Sequence, residues 1–412
     1  MRRVHSGFGE RPLLGRDLPR RRFLGQSLLG LGALFVPRGL IGCSDEDGGE
    51  KRVKRSNFRN IGPLGPPDAN GVRVAEGFTA RIVARAGQRP VDSSEFLWHG
   101  APDGGATYPT DDGGWIYVSN SESLEGGGAS ALRFDAEARV TAAYRILEGT
   151  LINCAGGPTP WGTWLSGEEH PNGRMHECDP WGSEAAIARP ALGVFKHEAA
   201  AVDPVRQHVY LTEDESDGRF YRFVPENLTR GRYADLSSGR LEVAIVAEDG
   251  SVTWAGVPSP EGGADNPTRM QVPNSTPFRG GEGIWYHAGV VYFTTKSDNR
   301  VWAYHIAKAS LSVFYDASTH AEPILTGVDN VMVSPAGDVL VAEDGGDMQI
   351  VALLPDGTAR AIVQVTGHEG SEITGPALSP SGDRLYFSSQ RTEAGNFFGS
   401  GITYELMGPF LL

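Results

Sequence analysis

Cysteine is scarce. The 412 residues hold three, at 43, 154 and 178, so a disulfide-built scaffold is excluded. Long apolar stretches are missing too: the run from Leu24 to Val36 is about 13 residues, too short to span a bilayer. Positive charge is in deficit, with 37 Lys and Arg against 51 Asp and Glu, a balance of −14. Residues 1–42 hold 8 Arg and 2 acids, so the remainder carries 29 against 49, a balance of −20. A surface with so few cations cannot neutralise a phosphate backbone, which excludes a nucleic-acid partner and favours bound cations. No HExxH helix and no Ser or Thr nucleophile motif occurs, which argues against a zinc-protease site and against covalent catalysis.

What the chain has in excess is Gly, 55 of 412 or about 13% against an ordinary ~7%, with 27 Pro. The glycines follow no triplet period, so a collagen-like rod is out, and Gly and Pro recur too often for long helices. Hydrophobic residues at 40%, aromatics at 9%, suffice for a core and exclude wholesale disorder. A turn-rich all-β protein remains.

The first 43 residues have the features of an address. Arg20-Arg21-Arg22-Phe23-Leu24 matches a twin-arginine signal, and Leu40-Ile41-Gly42-Cys43 a lipobox whose Cys43 would carry the lipid. Export of an already folded chain suits a protein that collects its cofactor in the cytoplasm. Residues 44–70 are expected to form a tether without a core of their own, and 71–412 the folded domain. The expected location is periplasmic or at the cell surface, with the lipid as the single membrane attachment. Nothing signals an oligomer interface, so a monomer is expected. Cys154 and Cys178 could pair in an oxidising compartment, although the setting of Cys154 suggests other work.

Six segments share one pattern: an apolar strand, a turn with Gly, Asp or Pro, then a strand centred on an aromatic or Leu. Their markers Tyr117, Trp164, Tyr210, Tyr292, Leu340 and Tyr386 are separated by 47, 46, 82, 48 and 46 residues. Four of the five gaps fit one four-stranded propeller blade. The sequence therefore predicts a six-bladed β-propeller, with a polar insertion near Ala255–Thr276 filling the long gap.

In such a blade the start of the innermost strand and the end of the next lie at the same mouth of the central channel. Before the turns stand Asn153-Cys154, His197-Glu198, Glu282, Asp329-Asn330 and Glu372. After them stand Glu122, Glu168-Glu169, Glu213-Asp214, Asp298-Asn299, Glu343-Asp344 and Gln390-Arg391. A single acid at a strand end is an ordinary solvated turn, and His197 alone is an ordinary hydrogen-bonded neighbour. Concentrated at one mouth, so many carboxylates repel unless cations relieve them. Oxygen-rich donors suit Ca²⁺, whereas a thiolate at Cys154 points to a transition metal.

The run Asn153-Cys154-Ala155-Gly156-Gly157-Pro158-Thr159-Pro160-Trp161-Gly162-Thr163-Trp164-Leu165-Ser166-Gly167-Glu168-Glu169 resembles the PhoX-type alkaline phosphatase family. Lys196-His197-Glu198-Ala199-Ala200, Thr212-Glu213-Asp214, Phe220-Tyr221-Arg222-Phe223, Glu282-Gly283-Ile284-Trp285 and Glu372-Ile373-Thr374-Gly375-Pro376 agree with it, as do Asp329-Asn330 and Glu343-Asp344-Gly345. The likeness extends over roughly residues 70–400. It implies a six-bladed propeller that holds Fe³⁺ and Ca²⁺ at one end of its channel and hydrolyses small phosphate monoesters outside the cytoplasm. Carried onto this chain, Cys154, Glu169, Glu198 and Glu282 would hold iron. Glu168, Asp214, Asp329, Asn330, Glu343, Asp344 and Glu372 would serve the calcium part. Arg279 is the first candidate to grip phosphate, because a guanidinium offers two parallel donors; Lys296 and Arg391 are the others.

The implied chemistry is metal-assisted phosphoryl hydrolysis, with cations neutralising the phosphate oxygens ahead of in-line attack by water. Two other readings fit a propeller: a Ca-dependent lactonase-like hydrolase, and a surface-anchored calcium-binding propeller without turnover.

Overall fold

The computed structural model describes residues 55–392 and 399–412; the leader, the lipobox and residues 44–54 of the tether lie outside the described residues. Alternating apolar and small residues between Gly- and Asp-containing turns produce short antiparallel strands, and these assemble into six sheets. Blade I is built from Pro102–Pro109, Trp115–Ser121, Gly127–Phe134 and Val140–Thr150. Blade II holds Asn153–Pro158, Trp164–Glu168, Met175–Cys178 and Ile187–Ala188. Blade III comprises His197–Val202, Val209–Glu213, Phe220–Pro225, Gly239–Val246 and a fifth strand, Val252–Gly256. Blade IV runs through Gly281–His287, Val290–Thr295, Arg300–His305 and Ser310–Asp316. Blade V contains Val328–Val333, Val339–Glu343, Gln349–Leu353 and Ala359–Val365; blade VI contains Ile373–Leu378, Arg384–Ser389 and Ile402–Met407.

The first strand of each blade packs against the first strands of both neighbours, which closes the circle around a central channel. Thr79–Arg85 pairs with Ile402–Met407 as the outer strand of blade VI, and Val72–Val74 adds an edge to blade V. An early strand thus completes the last blade and covers edges that would otherwise be open to pairing. All six sequence markers fall on the second strands of their blades, and all but Tyr292 are fully buried between neighbouring blades. The 82-residue gap is filled by the fifth strand of blade III and by residues 257–280, which carry two 3-10 turns, Gly263–Asp265 and Thr268–Met270.

One expectation is corrected. Residues 55–70 are not a coreless tether: Phe58 and Ile61 are buried in the cluster that includes Leu340, Leu354 and Phe410. Two aromatic and aliphatic side chains in a polar stretch are enough to fix it once a complementary hollow exists. Arg55 and Leu412 exchange backbone hydrogen bonds of 3.1 and 2.8 Å. Ser56 bonds Asp338 at 2.7 Å and Arg59 pairs with Asp356 at 2.7 Å. Both acids sit on turns at the channel end opposite the starts of the first strands, so the described chain begins and ends on that far side.

Every first strand departs from regular pairing near its beginning. The register shifts between Pro102 and Gly105, Asn153 and Gly156, His197 and Ala200, Gly281 and Ile284, Val328 and Val331, and Thr374 and Ala377. Bulges re-aim side chains and free backbone groups. Here the freed carbonyls are caught by buried side chains of an adjacent blade. Asn120 Nδ2 donates to the carbonyls of Cys154 and Ala155 at 3.2 and 2.8 Å. Thr212 donates to Glu282 O at 2.5 Å, Thr294 to Asp329 O at 2.5 Å, and Thr374 to Pro102 O at 2.7 Å. Small residues follow because the strands crowd the axis: a Cβ on Gly283 would lie 2.4 Å from Val331 N, and one on Gly157 only 1.7 Å from Ala200 O.

Candidate metal centre

The bulges deliver one side chain per blade to the same mouth. Asp103, Cys154, Glu198, Glu282 and Asp329 each occupy the second position of a first strand, and Glu372 stands just before the sixth. The ends of second strands add Glu122, Glu169 and Asp344. Ligand atoms of four trios lie within 4.8 Å of one another: Asp103/Glu122/Cys154, Cys154/Glu169/Glu198, Glu198/Glu282/Asp329 and Asp329/Asp344/Glu372. Cys154, Glu198 and Asp329 each belong to two trios, so the groups form one continuous arc. Cys154 Sγ is 3.3 Å from Glu198 Oε1.

Burial and mutual repulsion govern the electrostatics. Burial pushes Asp103, Cys154, Glu198 and Asp329 well above their ordinary values, and neighbouring carboxylates push in the same direction. Glu122 is raised to about 8, first by burial and then by Glu372 and Glu169. Glu169, Glu282 and Glu372 are also raised by burial, although cations oppose the shift. Those cations form a partial belt. Lys196 Nζ lies 2.8 Å from Glu169 and 2.9 Å from Asp214; Lys296 Nζ lies 2.9 Å from Asp214 and 2.6 Å from Glu282. Arg391 pairs with Glu372 at 2.5 Å and Glu122 at 3.3 Å. Gln390 Nε2 donates to Asp103 at 2.6 Å and to Glu122 at 2.7 Å. Nine donors in a mouth with three cationic side chains leave an excess of negative charge that fits bound cations. The donor set divides as hard oxygens and one sulfur do: Ca²⁺ suits the carboxylates, a transition metal the thiolate.

Paired acids at strand ends split their tasks. Glu168 accepts from Leu151 N and Arg174 N at 3.2 Å and faces His176 Nε2 at 3.1 Å. Burial would raise it, but these donors outweigh burial and hold it near 2. Glu343 accepts from Thr326 N and Gln349 N, both at 3.0 Å. Both were ligand candidates, and both lie outside the trios because their oxygens bind loop backbone, while the next residues, Glu169 and Asp344, turn to the mouth. Glu213 follows the same rule, bonded to Tyr221 at 2.7 Å, with Asp214 turned inward. Asp214 also joins no trio; its carboxylate bridges the two lysines, whose charges outweigh burial and lower it. Asn330 donates to Asp329, a member of two trios, at 3.0 Å and accepts from Gly375 N at 2.6 Å.

Arg279 is exposed and outside the belt; Lys296 and Arg391 are inside it. His197 stacks 3.7 Å from Phe195 and bonds Gly193 O at 3.0 Å, and burial lowers it to about 4. Cys154 and Cys178 are both free and buried. Asp103 escaped the sequence reading, and so did the part played by Lys196. The signal for Asp103 was present: it precedes two glycines, as Glu198 precedes two alanines and Glu282 a glycine.

The alkaline phosphatase PhoX family model matches residues 118–186 and 170–393. This chain belongs to the PhoX family. Pseudomonas fluorescens PhoX, solved in complex with vanadate as a transition-state analogue, has a TM-score of 0.70 and 16% identity, covering 87% of this chain and 98% of that one. It shares the six-bladed propeller. Two further structures are more distant: a Xanthomonas campestris gluconolactonase (TM-score 0.45, 12% identity, 84% of this chain and 98% of that one) and the calcium-binding regucalcin of Agrobacterium tumefaciens (TM-score 0.45, 13% identity, 80% and 96%). No curated protein matches the sequence. Membership of the PhoX family makes this chain a phosphomonoesterase-type hydrolase. Among the described residues no helix is long and apolar enough to cross a membrane.

Proposed function

We propose that the chain hydrolyses phosphate monoesters outside the cytoplasm, using a mixed calcium and iron centre in the acidic mouth. The observation that carries this reading is the arc of four trios with a buried thiol in two of them. Cys154, Glu169 and Glu198 would hold iron, with Asp103 and Glu122 beside them. Glu282, Asp329, Asp344 and Glu372 would hold calcium. When bound, such cations neutralise phosphate oxygens and activate water for in-line attack. The remaining work falls to the chain. Lys196, Lys296 and Arg391 keep cationic groups at the rim, where a phosphate dianion approaches a mouth that would otherwise repel it. The small residues behind the donors, Gly104, Ala155, Gly156, Ala199, Gly283 and Gly375, help line a hollow of ~30 Å³.

The twin-arginine motif and the lipobox support export and anchoring through Cys43. Metal analysis of protein from an exporting host should find iron with calcium. Phosphate-ester turnover should vanish on calcium chelation and return on calcium addition. Calcium without iron, or inertness of protein loaded with both metals, would overturn the proposal.

A further inference from the structure

Gln390 occupies a ligand position without carrying a charge. The residue that follows the second strand of each blade is, in turn, Glu122, Glu169, Asp214, Lys296, Asp344 and Gln390. Glu122, Glu169 and Asp344 belong to the trios, and Lys296 contacts Glu282 at 2.6 Å. Gln390 is the neutral member of the set, and it is fully buried.

Its backbone is fixed beside the sixth blade's acid. Gln390 N donates to Glu372 O at 3.1 Å, and Arg391 N to Ser371 Oγ at 2.8 Å. The side chain crosses the seam where the last blade meets the first: Nε2 reaches Asp103 Oδ2 at 2.6 Å and Glu122 Oε2 at 2.7 Å. Both N–H bonds of the amide are thereby used. The other end of the amide, Oε1, is buried and has no hydrogen-bond partner among the described residues. A buried acceptor without a partner is costly, and among carboxylates a cation is the natural group to satisfy it. The two amide ends share one carbon and nearly one shape, so rotation about the terminal bond exchanges them.

We propose that Gln390 is a metal ligand, giving Oε1 to a Ca²⁺ held by Asp103 and Glu122. Amide carbonyls are ordinary calcium donors. A third carboxylate at this point would add repulsion, whereas the amide adds an oxygen without charge. The ion then ties blade VI to blade I. The inference rests on the metal reading of the mouth and adds a ligand to it.

The test titrates Ca²⁺ into the purified, chelated chain by calorimetry, with metal content and Tm measured beside it. Gln390→Met fills the volume but offers neither an N–H nor a hard oxygen, and should weaken one calcium by about tenfold or more. Gln390→Glu cannot donate to Asp103 or Glu122 but always presents an oxygen. It should bind that calcium at least as tightly as the parent, with a larger rise in Tm from chelated to calcium-saturated protein. If Gln390 only clamps the two acids, Gln390→Glu loses calcium as Gln390→Met does, and that result would overturn the proposal. Parent-like calcium binding in Gln390→Met would overturn it too. A Gln390→Glu chain that folds only with calcium supports the ligand role; one that folds in neither condition refutes it. No calcium uptake by the parent removes the metal reading itself, whereas uptake by the parent with indifferent variants removes Gln390 alone.

Discussion

The Sγ of Cys154 lies 3.3 Å from Glu198 Oε1, across the boundary between blades II and III. Each residue is shared by two adjoining trios, so neither can change without disturbing two potential ion sites. Cys154→Ser should lose iron, retain most calcium and lower kcat/KM more than about 100-fold. Glu198→Gln should reduce both metals, and Glu372→Gln, which touches one trio, calcium alone. Elemental analysis beside kinetics decides it; equal metal loss in all three variants would contradict a chain of linked sites.

Thr294 carries the carbonyl of Asp329 at 2.5 Å and contacts that of Gly283 at 3.2 Å. Thr294→Val keeps the shape but leaves a bulge carbonyl buried without its donor. The expected cost is about 1–3 kcal/mol, with weaker calcium binding because Asp329 is no longer fixed. Denaturant titration with and without calcium measures both, and Thr294→Ser should rescue.

Lys296 stands between Asp214 and Glu282. In metal-free protein, Lys296→Met leaves Glu282 without its cation, while Asp214 keeps Lys196. A partly exposed ammonium limits the expected loss to about 1 kcal/mol. Saturating calcium should shrink that loss. A Tm difference that calcium leaves untouched would show that the lysine and the ions do not share these carboxylates.

His99 is buried beside Trp98, and burial lowers it to about 3, with Arg145 adding to the shift. The unfolded chain therefore takes up this proton first as pH falls below 6.5. Stability from the neutral ring is complete above that value and declines by about 1.4 kcal/mol per pH unit down towards 3. His99→Gln should remove this slope relative to the parent in denaturation measured from pH 7 to 4. Parallel curves for the two proteins would refute it.

The propeller was legible because its period survives in single residues: Tyr117, Trp164, Tyr210, Tyr292, Leu340 and Tyr386 all lie on the second strands of their blades. The acidic mouth was legible for the same reason. What the sequence could not resolve is which acid of a pair faces the axis. Glu168 and Glu169 are neighbours with opposite directions, and a bulge changes the alternation that would otherwise tell them apart. Asp103 was hidden because its strand, Pro102–Pro109, has Pro at both ends and two glycines, and so lacks an apolar strand signature. Arg279 was drawn to the mouth by its nearness to Glu282 along the chain; three residues proved enough to turn it outward.

The pairing of Arg55 with Leu412 has a practical corollary for presentation. Both leave from the back of the propeller, so a leash attached at either terminus fastens it from behind. The acidic bowl would then look away from such a leash, open to a dissolved ester.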